Sequence, residues 1–150
     1  MAKFVYRMQN ILTIKEKLEE QEKIAFSLAN ARALEEQAKL SELLKRRLGY
    51  ERQLTQLSQG NINVSDIRIY KSSIDAMKSL IRDQMIVLSR AQKQVEIARQ
   101  RLNAVTQERK MHEKLKEKAF EEFKQELNAE ESKMVDQLVS YTFGNKEEED

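Results

Sequence analysis

One run of apolar residues in the second half of the chain does most to restrict its fold. Ile67, Ile74, Ile81, Leu88, Val95 and Leu102 lie seven residues apart. Tyr70, Met77, Gln84, Ala91, Ala98 and Val105 each follow one of them by three. Spacing of three then four is the signature of an α-helix that buries one seam against another helix. The pattern holds for six heptads, and Gln84 is its only polar member. Breakers are scarce around it: the 150 residues include no Pro and only three Gly. An average soluble domain has about 5% Pro and 7% Gly, so the tight turns of a sandwich or an α/β fold have little to be built from. With 35% charged, 40% hydrophobic and 6% aromatic residues, the composition is that of long amphipathic helices.

The first half is periodic but looser. Ile11, Ile14, Leu18, Ala25, Leu28, Ala31, Leu34, Ala38, Leu44, Leu48, Leu54 and Leu57 recur at threes, fours or their sums and are the expected packing stripe of a first helix. Gly49 stands inside that stretch, where one Gly costs about 1 kcal/mol and does not end a helix. The interior has a single cluster of turn formers, Ser58-Gln59-Gly60-Asn61-Ile62-Asn63-Val64-Ser65-Asp66. Gly60 suits a left-handed helix C-terminus. Asn63 or Ser65 suits an N-cap, with Asp66 favoured in the first turn. The expected fold is all-α and a single domain: helix one over about 4–57, a turn over about 58–65, and helix two over about 65–142, folded back as an antiparallel coiled-coil hairpin. Gly144-Asn145 opens an acidic tail over 144–150, expected to fray. A parallel homodimer of one long helix is the alternative that the turn cluster disfavours.

At 1.5 Å per residue the helices would be roughly 80 and 115 Å long. Reflection about residue 61 sets Phe4 opposite residue 118, so the longer second helix overhangs at the end with both termini. Phe120, Phe123, Leu127, Met134, Leu138 and Tyr141 continue an apolar stripe there. An apolar stripe on an unpaired helix marks an interaction site. The alternative is an N-terminus that bends over to cover part of it.

Charge is uneven along the chain. The total is 27 Lys and Arg against 25 Asp and Glu, net +2, which disfavours a dedicated nucleic-acid binder. Between Lys39 and Lys93, however, eleven basic residues face five acidic ones, net +6, and the remainder is net −4. The basic half, with Lys45-Arg46-Arg47, is suited to steering an acidic partner or a membrane surface towards the turn. No apolar run approaches a membrane span, and the N-terminus has no signal-peptide pattern. With zero Cys this fits a cytoplasmic protein. Cys-based catalysis and Cys-ligated metals are ruled out. The single His, His112, is expected on the surface or in the seam. No phosphate-binding loop, dinucleotide motif or metal spacing is present. The expectation is a protein that is not an enzyme and needs no metal or cofactor.

Residues at both ends point to a family. Phe4-Val5-Tyr6-Arg7, the aliphatic pair Ile11-Leu12 and the run Lys15 to Gln21 resemble the start of the flagellar FliJ family. Glu108 to Lys118, then Phe120-Glu121-Glu122-Phe123, Glu130-Glu131 and Asp136, resemble its second block. His112 stands where an aliphatic residue is more usual. The resemblance spans nearly the whole chain. It implies a coiled-coil stalk of the type III export apparatus that enters the hexameric export ATPase (FliI), promotes its assembly, meets the export-gate protein FlhA and escorts export chaperones. It implies a cytoplasmic protein held at the membrane at the flagellar base, monomeric in isolation. The resemblance sets the ATPase at the end with both termini, so Phe4, Arg7, Phe120, Phe123, Leu127, Met134 and Leu138 are expected on it; aligned on the turn and on Tyr50 and Tyr70, the positions carried over to the gate are Leu43, Tyr50, Met77 and Gln84. An injectisome stalk and a self-associating adaptor coiled coil are the alternatives.

Overall fold

The computed structural model describes residues 2–61 and 63–148, with side chains as far as Asn145. Two helices account for nearly all of it, α1 over Gln9–Ser58 and α2 over Val64–Glu148, with no strand among the described residues. They pack against each other in two compact units, one of Glu20–Ala104 and one of Met1–Glu19 with Val105–Asp150. Within each unit the pairing is antiparallel. In the first, Glu36 meets Gln84 and Tyr50 meets Tyr70. In the second, Lys15 meets Glu108 and Phe4 meets Phe120.

The turn uses part of the expected chemistry. Asn63 caps α2: its Oδ1 accepts from the Ser65 backbone N–H at 3.1 Å and its carbonyl accepts from that of Ile67 at 3.1 Å. Asp66 lies in the first turn of α2 as expected. Gly60 does not take a left-handed conformation; no described residue does. Instead α1 closes with the Gln59 N–H donating to the Gln56 carbonyl at 3.2 Å, a tightened last turn that needs no positive φ. Ile62 lies outside the described residues.

Both outer boundaries shift. Residues 2–6 are not helical, and α1 begins at Gln9, whose N–H donates to the Tyr6 carbonyl at 3.2 Å. At the other end α2 runs through Gly144 to Glu148. A lone Gly costs a helix about 1 kcal/mol, and no Pro follows to stop it. The tail positions 149–150 lie outside the described residues.

The α2 seam is as expected: all twelve positions from Ile67 to Val105 are buried or half-buried. The α1 seam is not the expected stripe. Its inward positions are Leu12, Lys15, Glu19, Glu22, Phe26, Ala29, Ala33, Glu36, Leu40, Leu43, Arg47, Tyr50, Leu54 and Leu57, again spaced three then four. Only Leu54 and Leu57 belong to both sets. Ile11, Ile14, Leu18, Ala25, Leu28, Ala31, Leu34, Ala38, Leu44 and Leu48 face solvent, Leu28 with 67% of its surface exposed. The reason is that five charged residues occupy the real seam. Glu19 and Glu36 are buried there, and the opposite helix supplies donors to both. The apolar side of the interface comes mainly from α2, where Ile81 and Leu88 cluster with Leu40 and Leu43 of α1.

Candidate functional site: the exposed end of α2

In the unit containing the termini, Phe4 is the N-terminal anchor. Its ring lies 5.1 Å from Phe120 at 65° and 5.5 Å from Phe123 at 50°. Edge-on and tilted contacts of this kind favour the aromatic quadrupole. Residues 2–8 thus fold onto α2, and the unpaired part begins later than residue 118. Phe123 and Leu127 are half-buried, and Phe120 is only 39% exposed, with the Lys124 ammonium 4.6 Å from its ring centroid. Two polar atoms of this unit, Tyr6 Oη and His112 Nδ1, are buried without a hydrogen-bond partner among the described residues. A buried hydroxyl without a partner costs about 1–3 kcal/mol, so apolar and aromatic contact holds the N-terminal cover down against that cost.

From Asn128 to Asn145 every residue is exposed. Within that stretch Met134 is 64%, Leu138 65% and Tyr141 71% exposed. Sequence reasoning missed Val135, Val139 and Phe143, which are also exposed. Their spacing of four was visible beside the stripe, but one stripe had been matched to one partner helix. With no partner helix the two rows form a wider apolar surface. Arg7 is exposed at the start of α1.

Charged groups lock the paired part of this unit. Arg109 is shared, donating to Glu19 at 2.5 Å and to Glu113 at 2.7 Å. These hydrogen bonds, Glu19's first, raise its pKa above the ordinary value of an arginine. Lys15 donates to Glu108 at 2.7 Å, and that bond holds the Glu108 carboxyl below its ordinary 4.5. In the other unit the Gln84 amide does the same for Glu36, with Lys39 assisting and burial opposing. For both carboxylates the folded pKa lies below the unfolded one, so the unfolded chain binds protons more readily. Their stabilisation is complete above the ordinary 4.5 and is lost as pH falls through the lowered values. Thermal melts should therefore show a lower midpoint at acid pH than at neutrality. Glu36→Gln with Glu108→Gln should flatten that dependence; an equally steep one would mean other carboxylates carry it.

The four positions carried over to the export gate all fall in the seam of Glu20–Ala104. Leu43 packs on the Leu40–Ile81–Leu88 cluster, and the Tyr50 ring lies 6.3 Å from that of Tyr70. Met77 is half-buried, and Gln84 donates to the Glu36 carbonyl at 3.0 Å and to its carboxylate at 2.6 Å. Among the described residues there is no group of three or more His, Cys, Asp or Glu placed to hold a metal. No helix of the described residues is long and apolar enough to cross a membrane.

An antiparallel pair of helices, one of which runs on with exposed apolar side chains, defines a coiled-coil protein. The family follows from the sequence: the model for "Flagellar FliJ protein" matches residues 4–148, and the chain belongs to that family, a family of non-catalytic components of the flagellar export apparatus. No curated protein and no solved structure matches it.

Proposed function

We propose that the chain is the stalk of the flagellar export machinery, binding the hexameric export ATPase (FliI) through the bare end of α2 and promoting its assembly. The observation that carries this is the uncovered stretch 128–145, with Met134, Val135, Leu138, Val139, Tyr141 and Phe143 exposed together. Burial of a Leu or Phe side chain contributes about 1.5–3 kcal/mol, so a few such anchors decide whether a complex forms. Phe4, Phe120 and Phe123 hold one another and, with Leu127, form the base from which Met134 and Leu138 project. Arg7, just before α1, adds an exposed cation. The half nearest the turn meets the gate protein FlhA around Leu43, Tyr50, Met77 and Gln84, and the same protein escorts export chaperones. It works at the cytoplasmic face of the membrane at the flagellar base and serves motility.

The test is Leu138→Ala with Tyr141→Ala. Both side chains are exposed, so the melting midpoint should hold. Stimulation of ATP hydrolysis by the export ATPase should fall at least tenfold, the equivalent of about 1.4 kcal/mol of lost binding. Unchanged stimulation sinks the proposal. The same apolar surface also suits self-association, and sedimentation at micromolar concentration separates the two: a stalk is monomeric alone, whereas an adaptor that pairs through this end is a dimer that the double variant dissociates.

A further inference from the structure

The unit Glu20–Ala104 carries a basic and apolar face beside the seam positions assigned to the gate. Arg47, Lys78, Ile81, Arg82 and Met85 line an open groove of about 370 Å³ on one side of the helix pair. Lys78 and Arg82 are one turn apart on α2, both exposed, and neither makes an ion pair among the described residues. Arg47 comes from α1, held by Glu51 at 3.0 Å. Lys71 lines the adjoining groove towards the turn, which it shares with Lys78. Large aliphatic side chains stand among these cations. Met85 is 55% and Ile86 54% exposed on α2, and Leu44, one turn before Arg47 on α1, is 46% exposed.

Exposed aliphatic side chains occur elsewhere on both helices, but here they stand beside Lys78 and Arg82, cations that make no ion pair among the described residues. A duplex-binding face has no use for the aliphatic chains and is weakened by Glu51 and Asp75, which line the adjoining groove with Lys71 and Lys78. An acidic protein segment would satisfy the cations but would leave the outward Ile86 in water. Cations interleaved with protruding aliphatic chains match the boundary of a bilayer, where headgroup phosphates lie above acyl chains. We propose that this face lies on an anionic lipid surface. Lys71, Lys78, Arg82 and Arg47 sit at headgroup phosphates, and Leu44, Met85 and Ile86 enter the acyl boundary. The net +6 between Lys39 and Lys93 gives the long-range attraction. The proposal rests on the reading that the protein works at the cytoplasmic face of the membrane, and its test is separate from that of the stalk, because neither the ATPase nor the gate enters it.

That test is flotation of the full chain with vesicles of phosphatidylcholine alone, or mixed with phosphatidylglycerol. The chain should float only with the anionic vesicles, and less so as salt is raised. Lys78→Gln with Arg82→Gln should weaken binding by about tenfold or more. Met85→Ser with Ile86→Ser should weaken it at every salt concentration. All four residues are exposed, so melting midpoints should stay at the wild-type value. Absence of flotation with anionic vesicles overturns the proposal, as does wild-type binding by both variants. Binding to duplex DNA that matches vesicle binding and ignores Met85→Ser with Ile86→Ser also overturns it, since the face would then be only a phosphate binder.

Discussion

Leu88→Asp should cost the fold about 3–5 kcal/mol, read as a fall in the melting midpoint followed by circular dichroism. Leu88 is 8% exposed and packs with Leu40 and Ile81 in the cluster that joins the two helices. Its removal forfeits about 1.5–3 kcal/mol of burial. The new carboxylate must then be desolvated, or be neutralised at the expense of a raised pKa. Leu88→Ala isolates the first part and should cost clearly less than the Asp variant. Equal midpoints for the two would mean the helices part far enough there to keep the carboxylate wet.

The second large effect has the opposite sign. Gln84→Leu alone removes the amide that donates to the Glu36 backbone and carboxylate, leaving the buried Glu36 with Lys39 at 3.3 Å as its remaining ion-pair partner. That single change should lower the midpoint, because a buried acceptor without its donor keeps the full desolvation penalty. Glu36→Leu with Gln84→Leu should raise the midpoint above wild type, since apolar replacements of a buried polar pair no longer need to be desolvated. The four melts of this cycle also measure the coupling between the two residues. A double variant less stable than wild type would contradict the argument.

How far the fold could be read from sequence depended on what each helix puts in the seam. On α2 every seam position from Ile67 to Val105 but Gln84 is apolar, so periodicity alone located that run. On α1 the inward row includes Lys15, Glu19, Glu22, Glu36 and Arg47. A search for apolar spacing passes over such a row and settles on solvent-facing Leu and Ile instead. Only the facing residues, Arg109 for Glu19 and Gln84 for Glu36, make these charges tolerable inside. Pairings separated by 48 to 90 positions are invisible to a local pattern. The N-terminus failed for a related reason: no Gly or Pro marks a helix start before Gln9, but the segment leaves the helix so that Phe4 reaches Phe120 and Phe123. For the candidate site, the apolar stripe beyond residue 127 was legible because Met134, Leu138 and Tyr141 keep the helical spacing. Its width was not, since the number of rows exposed depends on the absence of a facing helix.

The Glu36–Gln84 contact also bears on how the chain finds its alignment. A seam of repeating heptads is nearly self-similar, and sliding one helix by seven residues keeps most apolar side chains inside. Such a slide would set Glu36 level with Met77 or Ala91. Neither side chain has an N–H to offer, so the misaligned pair would enclose a carboxylate with no donor from across the seam. One amide, at the single polar position of six heptads, therefore serves as a proofreading mark that rejects one-heptad errors while the helices zip together.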